Sequence, residues 1–132
     1  MIVQATNVGT DVGNRQFDLL IPGGGLGKFD GCSKQLNVSA GDLGERNGGF
    51  LSSCQASVGR NNLAALKSCV MQRCTSVFGS RGLSKLEAGC RWFVEWFEVA
   101  DNPTMLYKEV ACPQELKGRG MNRSTAPSNQ CQ

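Results

Sequence analysis

Residues 10–32 read TDVGNRQFDLLIPGGGLGKFDGC, and the rest of the chain can be interpreted around this stretch. Two carboxylates, Asp11 and Asp18, lie in it on either side of a bend rich in glycine and asparagine. Asp18 stands between Phe17 and Leu19, where a loop turns into a predicted strand. Apolar neighbours disfavour the ionised form of a carboxyl, so this position suits a group that holds a proton and delivers it as a general acid.

The predicted strand ends at the run PGGG, residues 22–25. Three glycines permit positive φ values and a close approach of the backbone to a ligand. The same run also suits an ordinary wide turn. Both interpretations stay open on the sequence alone.

Length and charge exclude several classes of protein. A chain of 132 residues is one domain at most. The net charge of +3 is scattered without a run of lysine or arginine, so nucleic acid is not predicted as a partner. No window approaches the roughly 20 apolar residues of a membrane helix, so no membrane association is predicted. The chain has no histidine, so acid–base chemistry must come mainly from Asp and Glu, and neither a metal nor a cofactor is predicted.

The seven cysteines lack a Cys-x-x-Cys pair, and they predict a disulfide framework in an oxidising compartment rather than a zinc site. The sequons at residues 37–39 and 122–124 agree with a secreted, extracellular protein. The number of cysteines is odd, and the N-terminal residues do not read as a signal peptide. We therefore expect this chain to be the C-terminal part of a larger domain.

Periodicity predicts a mainly β chain with one helical region. Residues 61–74 read as a helix with Asn61 or Asn62 as N-cap, because Leu63, Leu66, Val70 and Cys74 share one face. A second short helix is predicted over residues 83–88, with Gly89 as its stop, and a helical turn over 113–116. Strands are predicted over residues 2–6, 17–21, 91–97 and 105–111.

The motifs around Asp18 also carry a resemblance to a known family. In this order and spacing, the chain resembles glycoside hydrolase family 45, the endo-β-1,4-glucanases. The resemblance covers residues 1–53 and 83–121, and an insertion separates the two parts. The matching pieces are VQAT (3–6), DVG (11–13), FD (17–18), PGGG (22–25), FDGC (29–32), GCRWFVEWF (89–97), ADNP (100–103) and VACP (110–113).

The resemblance implies a six-stranded double-psi β-barrel with long disulfide-linked loops, here incomplete. Residues 1–122 would form the partial catalytic domain, with a short helical insertion at about 54–82, and residues 123–132 a polar tail. By the same resemblance, Cys32 and Cys112 would pair with cysteines outside this chain. Cys90 would pair with Cys74 or Cys54.

The implied activity is hydrolysis of internal β-1,4-glucosidic bonds of cellulose with inversion. Asp18 falls on the family's general acid, although an Asp at a strand entrance often only caps a turn. Asp11 falls on a loop carboxylate that assists electrostatically, and a solvated turn Asp is the equal alternative. The family's general base lies in a Tyr-Trp-Asp-Cys-Cys type motif, which this chain lacks. We therefore expect the chain alone to have little or no activity.

Two further positions match substrate-binding residues of the family. Phe29 matches a groove aromatic on which sugar faces stack, and a core phenylalanine is the alternative. Asn102 matches a polar groove contact, and a role in forming the Asp-Asn-Pro turn competes with it. Trp92 and Trp96 alternate on a predicted strand, and we expect both in the core.

The predicted partner is a β-1,4-glucan, bound by a monomer. Two alternatives come from other classes: an expansin-like protein that binds wall polysaccharide without hydrolysis, and a disulfide-rich interaction module in which the glucanase motifs are vestigial. A base Asp beside paired cysteines, upstream of Met1, would favour the hydrolase. Failure of the folded chain to bind cellooligosaccharides would favour the interaction module.

Overall fold

A computed structural model describes residues 1–4, 12–13 and 15–116. The chain divides into two compact units. The first, here called the helical body, runs from Leu19 to Pro103, and the second, the terminal unit, combines Met1–Asp18 with Thr104–Gln132. The α-helices of the described residues all lie in the helical body: α1 (Cys32–Leu36), α2 (Gly49–Val58), α3 (Leu63–Arg73) and α4 (Ser84–Glu95).

Shorter helical turns accompany these helices. A π-helical turn (Cys74–Phe78) continues α3 directly, and 3₁₀ turns form at Gly41–Leu43, Gly79–Arg81 and, in the terminal unit, Gln114–Leu116. The last of these confirms the helical turn predicted over residues 113–116. No helix in the described ranges is long and apolar enough to cross a membrane.

The prediction of a mainly β chain forming a partial double-psi β-barrel is wrong for the residues that the structure describes. Their only β pairing consists of two isolated bridges, Gly25 with Asn47 and Glu45 with Gly49. The segments predicted as strands at 17–21 and 105–111 run without regular structure. A strand is stable only when a neighbouring strand takes up its backbone N–H and C=O groups, and no described segment does this for them.

The segment predicted as a strand at residues 91–97 belongs instead mostly to α4. Trp92, Val94 and Trp96 alternate as they would on a strand, which explains the error. The side chains that are buried are Cys90, Phe93 and Val94, which follow the helical period. On the exposed face, Arg91 pairs with Glu95 one turn later at 3.0 Å.

Gly89 lies inside α4 and does not end it, contrary to the prediction. A Cβ atom at this position would lie 2.9 Å from Cγ of Pro22. Glycine is therefore required here because the loop that follows Ile21 approaches the helix backbone closely. The predicted helix over residues 83–88 does exist, but it continues to Glu95.

Helix α3 confirms the helix predicted over residues 61–74. Asn62 is its N-cap, since its Oδ1 accepts a hydrogen bond from the backbone N–H of Ala65 at 3.1 Å. Leu66, Val70 and Cys74 are buried as expected from their shared face, whereas Leu63 at the first turn is exposed.

The core of the described residues lies between α2, α3, the π-helical turn and α4. The rings of Phe50 and Phe78 meet near its centre, with centroids 5.7 Å apart. Two disulfides fasten these elements: Cys54–Cys69 joins α2 to α3, and Cys74–Cys90 joins the π-helical turn to α4. The second bond decides between the two partners predicted for Cys90.

Candidate functional site

The glycine-rich turn, residues 22–25, packs against the loop that leads into α2. Phe50 donates its backbone N–H to the carbonyl oxygen of Gly23 at 2.8 Å. A Cβ atom on Gly25 would lie 2.6 Å from the carbonyl oxygen of Arg46, and one on Gly49 only 1.9 Å from that of Gly23. Close contact between two stretches of backbone therefore accounts for these glycines. Of the two sequence interpretations, the turn is what the structure describes.

Phe29 lies in the loop between this turn and α1. Its ring is 79% exposed, so it is not a core residue. The Nζ atom of Lys28 lies over the ring, 5.6 Å from its centroid, which is within the range of a cation–π interaction. One face of the ring is therefore occupied by a cation, and an apolar sugar face could stack only on the other.

Asp30 follows Phe29 and fixes the start of α1. Its Oδ1 accepts a hydrogen bond from the backbone N–H of Ser33 at 2.9 Å, and its Oδ2 accepts a short one from the hydroxyl of Ser33. These bonds from the Ser33 side chain and backbone, with a smaller contribution from the Arg46 charge, lower the pKa of Asp30 below its usual 3.8. The carboxylate is thus a structural acceptor and not a candidate proton donor.

Asn102 lies near the C-terminal end of the helical body, in the turn that follows α4. It has φ of 48°, in the left-handed region, and its Nδ2 donates to Oδ1 of Asp101 at 3.0 Å. The other carboxylate oxygen of Asp101 accepts from Gln55 Nε2 at 3.3 Å, which ties the turn to α2. The turn-forming role is therefore present. Asn102 is also exposed, so its role in binding substrate stays a prediction.

Asp18 is the last residue of the first segment of the terminal unit. Its side chain is exposed, and the ring of Phe17 beside it is 45% exposed. It makes no hydrogen bond or ion pair with the residues that the structure describes. Its role as general acid stays a prediction, and Asp11 lies outside the described residues.

Sequence reasoning placed both tryptophans in the core, and for Trp96 this is wrong. Trp92 packs against the core, but Trp96 follows the last turn of α4 and is 58% exposed. The two indoles are stacked, with centroids 5.3 Å apart and planes inclined by 17°. Trp96 shares a helix face with Trp92 but is the C-cap residue, so it lies beyond the last turn that packs against the core.

The remaining cysteines behave differently from each other. Cys32 is free and exposed, so its predicted pairing outside the chain stays a prediction. Cys112 is disulfide-bonded in this structure, contrary to the expectation that its partner lies outside the chain. Within the described ranges, no three Cys, Asp or Glu side chains converge as ligands for a metal ion.

The sequence of the chain identifies the class of protein. Residues 1–70 match glycosyl hydrolase family 45, and the chain belongs to this family. It is 60% identical over 126 residues to Endoglucanase B of Cellvibrio japonicus, a match that covers 94% of this chain. It is 39% identical over 116 residues to an endoglucanase of Cryptopygus antarcticus and 36% identical over 123 residues to Endoglucanase 1 of Mycosarcoma maydis, covering 88% and 90% of this chain.

The chain spans only a fraction of the length of these relatives. The matched region is 25% of the Cellvibrio protein, 41% of the Cryptopygus protein and 25% of the Mycosarcoma protein. No solved structure matches the chain.

Proposed function

We propose that the protein is an endo-β-1,4-glucanase that hydrolyses internal β-1,4-glucosidic bonds of cellulose or a related glucan with inversion. The observation that carries this proposal is the 60% identity over 126 residues to a protein named Endoglucanase B. Membership of glycosyl hydrolase family 45 also supports it, and the match to the family covers residues 1–70, which contain both candidate carboxylates.

In the proposed mechanism, Asp18 is the general acid that protonates the glycosidic oxygen as the bond breaks. Its exposure and its lack of an ion pair among the described residues support this role, because a donor must be reachable by the polysaccharide. Asp11, seven residues earlier in the sequence, would assist electrostatically near the bond.

Inversion also needs a carboxylate base that activates a water on the opposite face of the sugar. The two carboxyl groups of an inverting enzyme lie roughly 6.5–9.5 Å apart, which leaves room for that water. The family's base motif does not occur in these 132 residues. We therefore propose that the base is supplied from outside this chain.

Phe29 and Asn102 are the proposed substrate-binding residues. The open face of the Phe29 ring suits the apolar face of a β-linked glucose unit, whose hydroxyl groups are equatorial. The amide of Asn102 suits a sugar hydroxyl. We also propose that the protein is secreted, in agreement with its disulfides, and that it acts as a monomer. No observation favours the expansin-like alternative or a vestigial interaction module.

A chimera tests the role of Asp18. This chain would replace the 126 matching residues of Endoglucanase B, and reducing sugar released from carboxymethylcellulose would be measured. We expect activity in the chimera and a fall of about 10²–10⁴-fold in the variant Asp18→Asn, because an amide cannot donate the acid proton. Proton NMR of the first product should show the α-anomer, as inversion requires.

The control is Glu95→Gln, which removes an exposed carboxylate whose ion pair among the described residues is with Arg91 on α4. It should leave the activity unchanged. The chain by itself should release no reducing sugar above background. Strong turnover by the chain alone would contradict the proposal that the catalytic base comes from outside this chain. Full activity of the Asp18→Asn chimera would contradict the assignment of Asp18 as the general acid.

A further inference from the structure

Arg46 contacts the loop that carries Phe29 through both its backbone and its side chain. Its carbonyl oxygen accepts hydrogen bonds from the backbone N–H groups of Leu26 and Gly27, each at 3.0 Å. Its Nη1 donates to the carbonyl oxygens of Lys28 at 3.1 Å and of Gly27 at 3.4 Å. A single residue therefore holds the three residues that precede Phe29.

The position of Phe29 depends on this backbone because its ring has little packing of its own. The ring is 79% exposed, and the side chain that lies over it, that of Lys28, is itself flexible. On the other side of Phe29, Asp30 is fixed by its bonds to Ser33 at the start of α1. The loop is thus held on both sides of the aromatic residue, by Arg46 before it and by Asp30 after it.

A purely structural role in the core does not account for the guanidinium of Arg46. The side chain is exposed, and its acceptors are carbonyl oxygens of an exposed loop. The core residues extend from Leu43 to Val99 and do not include Arg46. Removing the guanidinium should therefore loosen the loop without unfolding the helical body.

We propose that Arg46 is a positioning residue for glucan binding, which fixes the backbone at Gly27 and Lys28 and thereby holds the ring of Phe29 where a sugar face can stack on it. The proposal rests on the proposed function, since it assigns the ring of Phe29 to a glucan subsite. Arginine suits this task because its planar group presents several donors in a fixed geometry, whereas lysine is a compact charge whose three donors sit on a flexible stem.

The test compares the 132-residue chain with its variants Arg46→Met, Arg46→Lys and Phe29→Ala. Methionine keeps the length of the side chain and removes the donors. The matched control is Arg91→Met, which removes an exposed arginine whose ion pair within the described ranges is with Glu95. Three quantities are measured for each: ¹⁵N relaxation at Lys28 and Phe29 without ligand, the midpoint of thermal unfolding, and the Kd for cellohexaose by calorimetry.

We expect Arg46→Met to raise the fast mobility of residues 28 and 29 and to leave the thermal midpoint close to that of the parent chain. Binding of cellohexaose should weaken by about two- to tenfold, the range that corresponds to the net value of one hydrogen bond. Arg46→Lys should recover part of the loss. The double variant Phe29→Ala with Arg46→Met should bind no more weakly than Phe29→Ala alone, because Arg46 acts through Phe29.

Three results would overturn the inference: unchanged mobility in Arg46→Met, unchanged affinity despite increased mobility, or additive losses in the double variant. A parent chain that binds no cellohexaose would count against the proposed function instead. In that case the relaxation data still decide whether Arg46 fixes the loop.

Discussion

Gly49 is the point of closest backbone contact among the glycines that the structure describes. A Cβ atom there would lie 1.9 Å from the carbonyl oxygen of Gly23 and 2.4 Å from the backbone nitrogen of Gly25, and φ is +53°. An L-residue would meet both a steric clash and an unfavourable backbone conformation. This residue therefore decides whether the glycine-rich turn and the start of α2 can meet.

We expect Gly49→Ala to lower the free energy of unfolding by roughly 2 kcal/mol or more, since the clash adds to about 1–2 kcal/mol for the left-handed conformation. The measurement is urea denaturation followed by circular dichroism. Gly82→Ala is the matched control, because Gly82 has φ of +68° but no atom within 4 Å of the added Cβ. Equal losses in the two variants would show that the contact with Gly23 is not tight.

The sequence predicts which residues belong to the candidate site, but not how exposed they are or what they contact. Asp18, Phe29 and Asn102 were selected by motif, and the exposure of Phe29 and Asn102 has no periodic signal because both lie in loops. The contact of Arg46 with Lys28 joins residues 18 positions apart in the chain. No local pattern encodes such a contact, so it could not be predicted.

At the scale of elements, the two longest helices show what periodicity can and cannot resolve. Helix α3 has both a capping residue, Asn62, and apolar residues at helical spacing, so it was predicted with its N-cap. In α4 the aromatic residues alternate, and Gly89 resembles a helix stop. There the packing of Cys90 and Phe93 into the core overrides the strand-like pattern.

The two disulfides of the helical body close loops of nearly equal length, with sequence separations of 15 and 16 residues, so they form a matched pair. The entropic stabilisation from each is about 3 kcal/mol. Cys74 and Cys90 are both fully buried, whereas Cys69 is only partly buried. The bond between Cys74 and Cys90 therefore contributes core packing in addition to loop closure.

We expect the double variant Cys74→Ala with Cys90→Ala to be less stable than Cys54→Ala with Cys69→Ala by about 1 kcal/mol, because it leaves the larger void in the core. Thermal unfolding under identical non-reducing conditions measures the difference. If Cys54→Ala with Cys69→Ala proved the less stable variant, the burial of the sulfur atoms would not explain the difference between the two bonds.

At the scale of the whole molecule, the buried apolar side chains of the described residues all lie between Leu43 and Val99. The terminal unit exposes apolar side chains along segments that were predicted as strands. This explains why the fold class was wrong: alternation predicts one apolar face, but it does not supply the neighbouring strand on which that face depends. The exposed side chains are those of Met1, Ile2, Val3, Phe17, Met105, Leu106, Tyr107 and Val110.

Hydrogen–deuterium exchange measured by mass spectrometry should therefore divide the chain unevenly. We expect slow exchange in α2, α3 and α4, whose amides are hydrogen-bonded around the disulfide-linked core, and fast exchange over residues 105–111, which have no regular structure. Protection of residues 105–111 as strong as that of α3 would contradict this distribution.

The order of the four disulfide-bonded cysteines in the helical body, Cys54, Cys69, Cys74 and Cys90, has a consequence for how the protein can be produced. The loop from Cys54 to Cys69 is complete before the loop from Cys74 to Cys90 begins, so the two covalent rings neither cross nor enclose one another. Of the three ways to join four cysteines, only this one has separate rings. Oxidation of these four thiols can therefore proceed as two independent local closures, in either order, with no reshuffling between them.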